Sequence, residues 1–409
     1  MPKPDKKPKA PAAAVQDVTG RYLVLLCKDK TAQALKVLTA TAGVNVVSST
    51  EGSPESARHY TLADHCAIVF ERIGVALVKC APDKHQQLGM AVAGSDGAIL
   101  AIEPERRVHA IAKRKSAKLQ EAVVDDETSL TWGIQETKVA ESSYTGKGVR
   151  LAVLDTGLDL THPDFAGRSI VSQSFIEGEQ AQDGNGHGTH CAGIAAGPAT
   201  PSVLPRYGVA GEAELYIGKV LSNEGGGADG GVLEGINWAI ENECRVVSMS
   251  LGSTLQDGQA YSEIFEEVAK RALAAGTVII AAAGNDSRRP DYIAPVSHPA
   301  NCPSIVAVAA VDSSLQVAAF SSGGLVQEGG QVDVAAPGVA VLSAWPEPER
   351  YNTISGTSMA TPFVSGIAAL HAQAQPDARG RVLLSLVLQG TRRLALPSRD
   401  VGAGLIQAP

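Results

Sequence analysis

The chain has 409 residues, of which 44% are hydrophobic, 4% aromatic and 19% charged. Its formal net charge of -8 at pH 7 argues against a nucleic-acid partner, because such proteins carry basic patches. No apolar stretch of the sequence is long enough to span a bilayer, so we expect no membrane partner. The small and branched residues that dominate the apolar fraction favour parallel α/β packing around a large core.

The first third of the chain predicts a small separate unit. Residues 1–18 are rich in lysine and proline and predict a disordered tail. Residues 19–110 then predict an α+β, ferredoxin-like domain, followed by an exposed polar linker at 111–128 and a larger domain at 129–409. The predicted strands are 22–27, 44–48, 66–71, 75–80 and 98–103, and the predicted helices are 31–39 and 82–90.

Three polar residues of the larger domain lie at positions that suit nucleophilic catalysis. Asp155 ends a short apolar run that predicts a buried parallel strand, and α/β sheets place their sites at such carboxyl ends. His187 follows a glycine-rich approach to a small-residue helix and is the candidate base. Ser358 lies at the head of a helix-like run, where free N–H groups and the helix dipole favour negative charge. A serine needs such a base, and an acid that orients the base.

The order Asp155, His187, Ser358 distinguishes among folds that share this chemistry, because it is the subtilisin order and neither that of α/β-hydrolases nor that of chymotrypsin. Five segments support the comparison: LAVLDTGLDLTHPDF at 151–165, GHGTHCAG at 186–193, VSMSLG at 247–252, AAAGN at 281–285 and GTSMATP at 356–362. On these motifs the larger domain resembles the subtilisin-like serine proteases of peptidase family S8. The cysteine after GHGTH and the later YGVA favour the proteinase-K-like branch.

The resemblance implies an α/β fold with a parallel sheet flanked by helices, and a serine endopeptidase mechanism. Ser358 would attack the scissile carbonyl, His187 would transfer the proton, and Asp155 would orient the imidazole. Asn285 would complete the oxyanion hole with the Ser358 backbone N–H. His190 would be structural, since the His-Glu-x-x-His pattern of a metal site is absent.

Two edges of the cleft are expected to hold an extended protein or peptide substrate by main-chain hydrogen bonds. The family comparison assigns one edge to Gly226 and Gly227 and the other to Leu251, Gly252 and Ser253. For the glycine-rich stretch, a flexible surface loop is the alternative interpretation.

The small domain ends in IEPERRV at 102–108, which resembles the tail of an I9-type inhibitor propeptide. This resemblance implies a zymogen inhibited by its own propeptide, with a mature chain that begins between residues 110 and 131. A ferredoxin-like accessory domain is the alternative. No single bond is indicated by the sequence.

Catalysis by such a triad needs no cofactor, but the resemblance suggests a structural calcium ion. Asp333 and the carbonyls of Pro303 and Ile305 match a proteinase-K calcium site, and oxygen ligands suit that ion. An ordinary turn carboxylate is the alternative for Asp333. Asp164 matches one ligand of a second calcium site whose companions are missing, so we predict no ion there.

The cysteines and the first residues bear on location. Six cysteines have no close spacing pattern, and Arg150 occupies the position that would pair with Cys244 in proteinase K, so we expect free thiols. Cys191 is expected to pack beneath the catalytic histidine. With no secretory signal recognised, a cytoplasmic monomer is the expectation, and unconventional export stays open.

Two other functions use the same residues. A peptide ligase or macrocyclase would pass the acyl group from Ser358 to an amine, and a pseudoprotease would bind peptides without cutting them. A serine-directed fluorophosphonate and a casein substrate distinguish the three.

Overall fold

The computed structural model describes residues 17–48, 66–80, 84–111, 128–256, 258–324 and 329–409. We call residues 17–111 the N-terminal unit and residues 128–409 the C-terminal unit. Most of the predicted tail, and the predicted linker from residue 112 to residue 127, lie outside the described residues.

The N-terminal unit is a two-layer α+β sandwich in which two helices cover one face of a sheet. The sheet order is β5-β1-β4-β3-β2, with β2 parallel to β3 and the other neighbours antiparallel. Each predicted strand and helix has a counterpart, but the last strand continues seven residues past its predicted end at residue 103. The elements are β1 (Val18–Leu26), α1 (Thr31–Ala42), β2 (Asn45–Ser48), β3 (Cys66–Phe70), β4 (Val75–Lys79), α2 (His85–Gly94) and β5 (Ile99–Ala110).

Alternating side chains of β1 explain why this sheet has two covered faces. Val24 and Leu26 point into a core that they share with α1 and α2. Leu23 and Leu25 point the other way, into a core that includes residues of the C-terminal unit. All four are at most 4% exposed, which is the period-two pattern expected of a strand between two apolar layers.

The C-terminal unit is built on a seven-stranded parallel sheet. Its strand order is β14-β13-β12-β10-β6-β8-β7, and every neighbouring pair is parallel. Short strands and a hairpin lie outside this sheet. The strands are β6 (Arg150–Asp155), β7 (Ile170–Ser174), β8 (Glu214–Lys219), β9 (Gly226–Ala228), β10 (Val246–Met249), β11 (Leu251–Gly252), β12 (Val278–Ala282), β13 (Val306–Val311), β14 (Val334–Pro337), β15 (Val341–Ala344) and β16 (Tyr351–Ile354).

Helices cover both faces of the parallel sheet, so the predicted architecture is confirmed. On one face α4 and α7 pack together, and on the other face α5 and α6 lie between the sheet and the N-terminal unit. The helices are α3 (Trp132–Glu136), α4 (His187–Ala196), α5 (Asp229–Glu241), α6 (Glu263–Ala275), α7 (Thr357–Ala374), α8 (Arg381–Gln389) and α9 (Ser398–Val401). Among the described residues, none of these helices combines the length and the hydropathy needed to span a lipid bilayer.

Candidate active site

Asp155 and His187 form a buried pair at the carboxyl end of the sheet. Asp155 is the last residue of β6, a strand whose apolar residues are buried on both sides. His187 is the first residue of α4, and its Nδ1 lies 2.7 Å from Oδ1 of Asp155. Gly186 precedes it with φ 103°, and a Cβ there would lie 2.4 Å from the Trp345 ring. Glycine is therefore required at the residue that delivers the histidine.

The charge of Asp155 controls the protonation of His187. Burial of the imidazole by itself lowers its pKa, but the attraction of the Asp155 carboxylate and their hydrogen bond outweigh burial, so the pKa of His187 is raised well above its usual value. The other ring nitrogen, Nε2, is buried and has no hydrogen-bond partner among the described residues. When the ring is neutral and Nδ1 carries the proton, this nitrogen can accept a proton.

Asp183 holds the Asp155 strand and the His187 helix in register, a role that the sequence analysis missed. Its Oδ1 accepts hydrogen bonds of 2.9 Å from Thr156 Oγ1 and from Gly186 N. Its Oδ2 accepts one of 2.7 Å from Thr189 Oγ1. The residue opens the glycine-rich segment before His187, where an aspartate is equally typical of a turn, so its position alone gave no sign of this role.

Ser358 is the second residue of α7 and is fully buried. Its Oγ donates to the carbonyl oxygen of Ile111 at 2.5 Å and lies 3.2 Å from that of Ser250. Cys191 packs beneath the pair as predicted, with Sγ 3.9 Å from His187 Nδ1 and 3.5 Å from the Ser358 carbonyl. Burial raises the pKa of this thiol, so it stays protonated.

Asn285 donates from Nδ2 to the same Ile111 carbonyl at 2.8 Å. Its amide is fixed because Oδ1 accepts hydrogen bonds of 2.9 Å from both N and Oγ1 of Thr357. Gly356 leaves the necessary space, since a Cβ there would lie 3.0 Å from Asn285 Nδ2 and 3.1 Å from the Ile111 oxygen. One carbonyl of the chain thus contacts both the candidate nucleophile and the candidate oxyanion donor.

The end of β5 occupies the cleft as the middle strand of three. It pairs antiparallel with β9, where Val108 faces Gly227, and with β11, where Ala110 faces Leu251 and His109 faces Gly252. An extended segment of the same chain therefore pairs with the strands that contain residues 226, 227, 251 and 252, and substrate binding at these edges stays a prediction.

Ser253 is not part of that edge. Its N–H donates to the His298 carbonyl at 2.9 Å, and its own carbonyl accepts from His298 N at 3.0 Å. Both backbone groups are already used, so the predicted edge ends at Gly252.

Three carboxylates join the N-terminal unit to helix starts. Glu105 Oε1 accepts from Gly230 N in the first turn of α5 at 3.0 Å, and Glu103 Oε1 accepts from Ile264 N in the first turn of α6 at 3.2 Å. In the opposite direction, Asp229 of α5 accepts a hydrogen bond of 3.1 Å from the backbone N–H of Arg106 in the N-terminal unit. Carboxylates at helix N-termini satisfy free N–H groups and complement the helix dipole.

Comparison with known proteins agrees with this geometry. The family model of the subtilase family, peptidase S8, matches residues 146–404. The chain belongs to the subtilase family. Subtilisin E of Bacillus subtilis (strain 168) is 41% identical over 245 residues, or 59% of this chain and 61% of that protein. A thermostable alkaline protease of Halalkalibacterium halodurans is 38% identical over 311 residues, or 75% of this chain and 78% of that protein.

Coverage differs among the relatives of this subtilase. Subtilisin BL of Lederbergia lenta is 38% identical over 284 residues, which are 68% of this chain and 97% of that protein. The matches to subtilisin E and to subtilisin NAT of Bacillus subtilis subsp. natto span only 61% of each relative. Assignment to the proteinase-K-like branch stays a prediction.

The structure of this subtilase also describes His190 and the six cysteines, for which the sequence analysis made predictions. His190 Nε2 contacts the carbonyls of Val341 and Asn352 at 3.1 and 3.0 Å, and burial lowers its pKa to about 3. A neutral ring that anchors the β15–β16 hairpin fits the structural role expected of it. All six cysteines are free thiols.

The two positions considered for calcium differ in chemistry. Asp164 is satisfied by protein donors: Ser202 N at 2.6 Å, Tyr207 Oη at 2.6 Å and Tyr351 Oη at 3.0 Å. These donors occupy the carboxylate that an ion would need. Asp333 instead accepts a hydrogen bond from Ala307 N at 2.8 Å, and burial raises its pKa to about 6.

Proposed function

We propose that this subtilase is a serine endopeptidase made as a zymogen, in which the N-terminal unit is an inhibitory propeptide. The observation that carries the proposal is the Ile111 carbonyl, which accepts from Asn285 Nδ2 at 2.8 Å and from Ser358 Oγ at 2.5 Å. A scissile carbonyl needs this position, with a nucleophile on one side and a fixed donor at its oxygen.

The proposed mechanism begins with rotation of the Ser358 hydroxyl from these carbonyls toward His187. Nε2 of His187 then takes the hydroxyl proton as Oγ attacks the carbonyl carbon. Asp155, 2.7 Å from Nδ1, keeps the imidazole in the tautomer that leaves Nε2 free and stabilises the imidazolium. Nδ2 of Asn285 donates to the oxyanion, and its rigid anchoring to Thr357 means that no reorganisation is needed.

Substrate proteins would enter the strand position that β5 occupies. Binding through β9 and β11 uses backbone hydrogen bonds, so it fixes the register of an extended peptide while depending little on its side chains. Inhibition follows directly, because β5 and a substrate cannot occupy one strand position together.

The test is casein hydrolysis and fluorophosphonate labelling of purified wild type beside Ser358→Ala. We expect wild type to hydrolyse casein and to carry the label on Ser358. In subtilisin itself, loss of the serine lowers kcat by a factor of about 2 × 10⁶, and a loss of that order is expected here. Absence of label would favour a peptide-binding pseudoprotease. Label with cyclised in place of hydrolysed product would favour the ligase.

We also propose a structural calcium ion at Asp333 with the carbonyls of Pro303 and Ile305. A half-buried carboxylate with a raised pKa fits a site where a cation supplies the missing positive charge. Chelation is expected to lower the melting temperature of wild type and to leave that of Asp333→Asn unchanged. Equal melting of wild type with and without chelator would reject the ion.

A further inference from the structure

The sequence indicates a maturation region of about twenty residues but no single bond within it. Its most conspicuous feature is the basic run Lys113, Arg114 and Lys115, which would suit a protease that cuts after basic residues. The described residues end at Ile111 on the N-terminal side of that region. The position of Ile111 in the cleft distinguishes between cutting at this run and cutting before it.

From the proposed function and this position, we infer that the chain cuts itself at the peptide bond on the carboxyl side of Ile111. Within residues 17–111 and 128–409 as far as the structure describes them, the Ile111 carbonyl alone has both contacts, with Ser358 Oγ at 2.5 Å and Asn285 Nδ2 at 2.8 Å. The product would be an N-terminal fragment ending at Ile111 and a chain beginning at residue 112.

Main-chain pairing fixes this register over the four preceding residues. Ile111 N lies 3.3 Å from the Ser250 carbonyl, and Ala110 N donates to the Gly225 carbonyl at 2.9 Å. Before them, Val108 faces Gly227 across one edge, and His109 faces Gly252 across the other. A slip of one residue would turn every side chain of the segment to the opposite face.

Side-chain burial opposes such a slip. Val108 is fully buried in an apolar cluster that also contains Leu221, Leu233 and Leu251, whereas the His109 side chain is exposed. Moving the segment by one position would bury the imidazole and expose the valine. Burying a Val side chain contributes about 1.5 to 3 kcal/mol, and leaving the imidazole in solvent avoids the cost of burying a polar group. Both contributions favour the observed register.

The Ile111 side chain is accommodated because residue 252 is glycine. A Cβ on Gly252 would lie 2.9 Å from Ile111 Cδ1 and 2.4 Å from the His298 carbonyl oxygen. The backbone of Gly252 thus lies directly against the aliphatic side chain of the residue whose carbonyl would be attacked.

The reaction balances as an acyl transfer followed by hydrolysis. Ser358 Oγ bonds to the Ile111 carbonyl carbon and its proton moves to His187; the bond to the nitrogen of residue 112 breaks, and His187 protonates that nitrogen. Water then adds its oxygen to the same carbon, gives one proton to His187, and releases Ser358 with its hydroxyl proton restored. The co-reactant is water alone.

The experiment is intact-mass analysis of both fragments of the full chain at early times, before any later trimming. The prediction is an N-terminal fragment ending at Ile111, a partner beginning at residue 112, and no fragments from Ser358→Ala. Any other end, such as one within residues 113–115, overturns the inference even if Ser358 takes the fluorophosphonate label, in which case the proposed function stands. An uncut chain that takes the label also overturns it. If the protein takes no label and hydrolyses no casein, both the proposed function and this inference are refuted.

A matched pair of variants tests the register. Ile111→Asp places a carboxylate against the Gly252 backbone, and cutting at this bond is expected to slow by at least about 10-fold. Leu100→Asp makes the same aliphatic-to-carboxylate change at an exposed side chain of β5 outside the cleft, and is expected to stay within about threefold of wild type. Equal rates for the two variants would contradict the register. Melting temperatures in the Ser358→Ala background check that both variants are folded.

Discussion

The N-terminal unit contacts the rest of the chain in two regions that differ in chemistry. In the cleft, β5 is held by backbone pairing with glycine-rich strands, a contact that a substrate peptide can replace. On α5 and α6, the contact depends on particular side chains, with Glu105 and Glu103 at the two helix starts. On the proposed function, the first region would position a bond to be cut, and the second would hold the unit after the cut. Cutting and release should therefore respond to different substitutions.

The largest effect is expected at the oxyanion position, which belongs to the cleft alone. Asn285→Ala removes the Nδ2 donor and should slow self-cutting and casein hydrolysis by about 10² to 10³, the range known for this asparagine in subtilisin itself. Fragment formation is followed by mass analysis over time. Cutting at the wild-type rate would mean that the contact with Ile111 does not stabilise the transition state.

The next effect is expected at the helix contact. Glu105 is fully buried and binds Arg21 Nη2 at 2.7 Å as well as Gly230 N. Only the bond to Gly230 N crosses to the C-terminal unit, and it involves a charge, so Glu105→Ala should weaken the hold on the cut unit by about 1.5 to 3 kcal/mol, or roughly 10- to 150-fold in release rate. The delay between cutting and casein activity measures release.

Arg107→Ala is the control for this variant. Its ion pair with Asp17 is exposed, with 52% of the Arg107 side chain accessible, and such pairs contribute little. The delay should match that of wild type. If both variants shorten the delay equally, the contact at the helix starts is no more important than a surface ion pair.

A pH effect of intermediate size is expected from Glu234 of α5. Burial raises its pKa to about 7, although Arg21 of the N-terminal unit acts in the opposite direction and Glu241 adds to the increase. The folded state thus favours the protonated carboxyl, so the contribution of Glu234 to the free energy of unfolding is fully present below the usual pKa of 4.5 and is lost as the pH rises to about 7. The melting temperature in the Ser358→Ala background should fall over that interval, and Glu234→Gln should remove this part of the pH dependence. Melting profiles identical in the two proteins would exclude Glu234 as their source.

The fold of the C-terminal unit was predicted through motifs that resemble those of a known family, and the elements that carry these motifs were predicted from local signals. Apolar runs ending at Asp155, and the helix start at Ser358, follow from short-range pattern alone. The end of β5 was underestimated, since Pro104 and Arg106 pair with β1, and residues 107–110 pair with β9 and β11. Ile111, Asp183 and the roles of Glu103 and Glu105 depend on contacts between segments far apart in the chain. Residue types alone do not encode such docking.

The smallest effect on cutting and release is expected from a change that touches neither contact region. Tyr207→Phe removes a 2.6 Å hydrogen bond to Asp164 at a fully buried site and should lower the free energy of unfolding by about 1.5 to 3 kcal/mol. Tyr351→Phe removes a longer bond, of 3.0 Å, at a partly exposed site and should cost less. Thermal denaturation in the Ser358→Ala background measures both. The two variants should cut and release normally, and altered release would show that the contact regions are coupled to this cluster.

Size-exclusion chromatography of freshly cut protein, with mass analysis of the eluted peak and a casein assay, tests the separation of cutting from release most directly. We predict that the two fragments elute together, with ends at Ile111 and residue 112, and that the peak is inactive until the N-terminal fragment is removed. Fragments that separate at once, with full activity from the moment of cutting, would contradict the claim that cutting and release are separate steps.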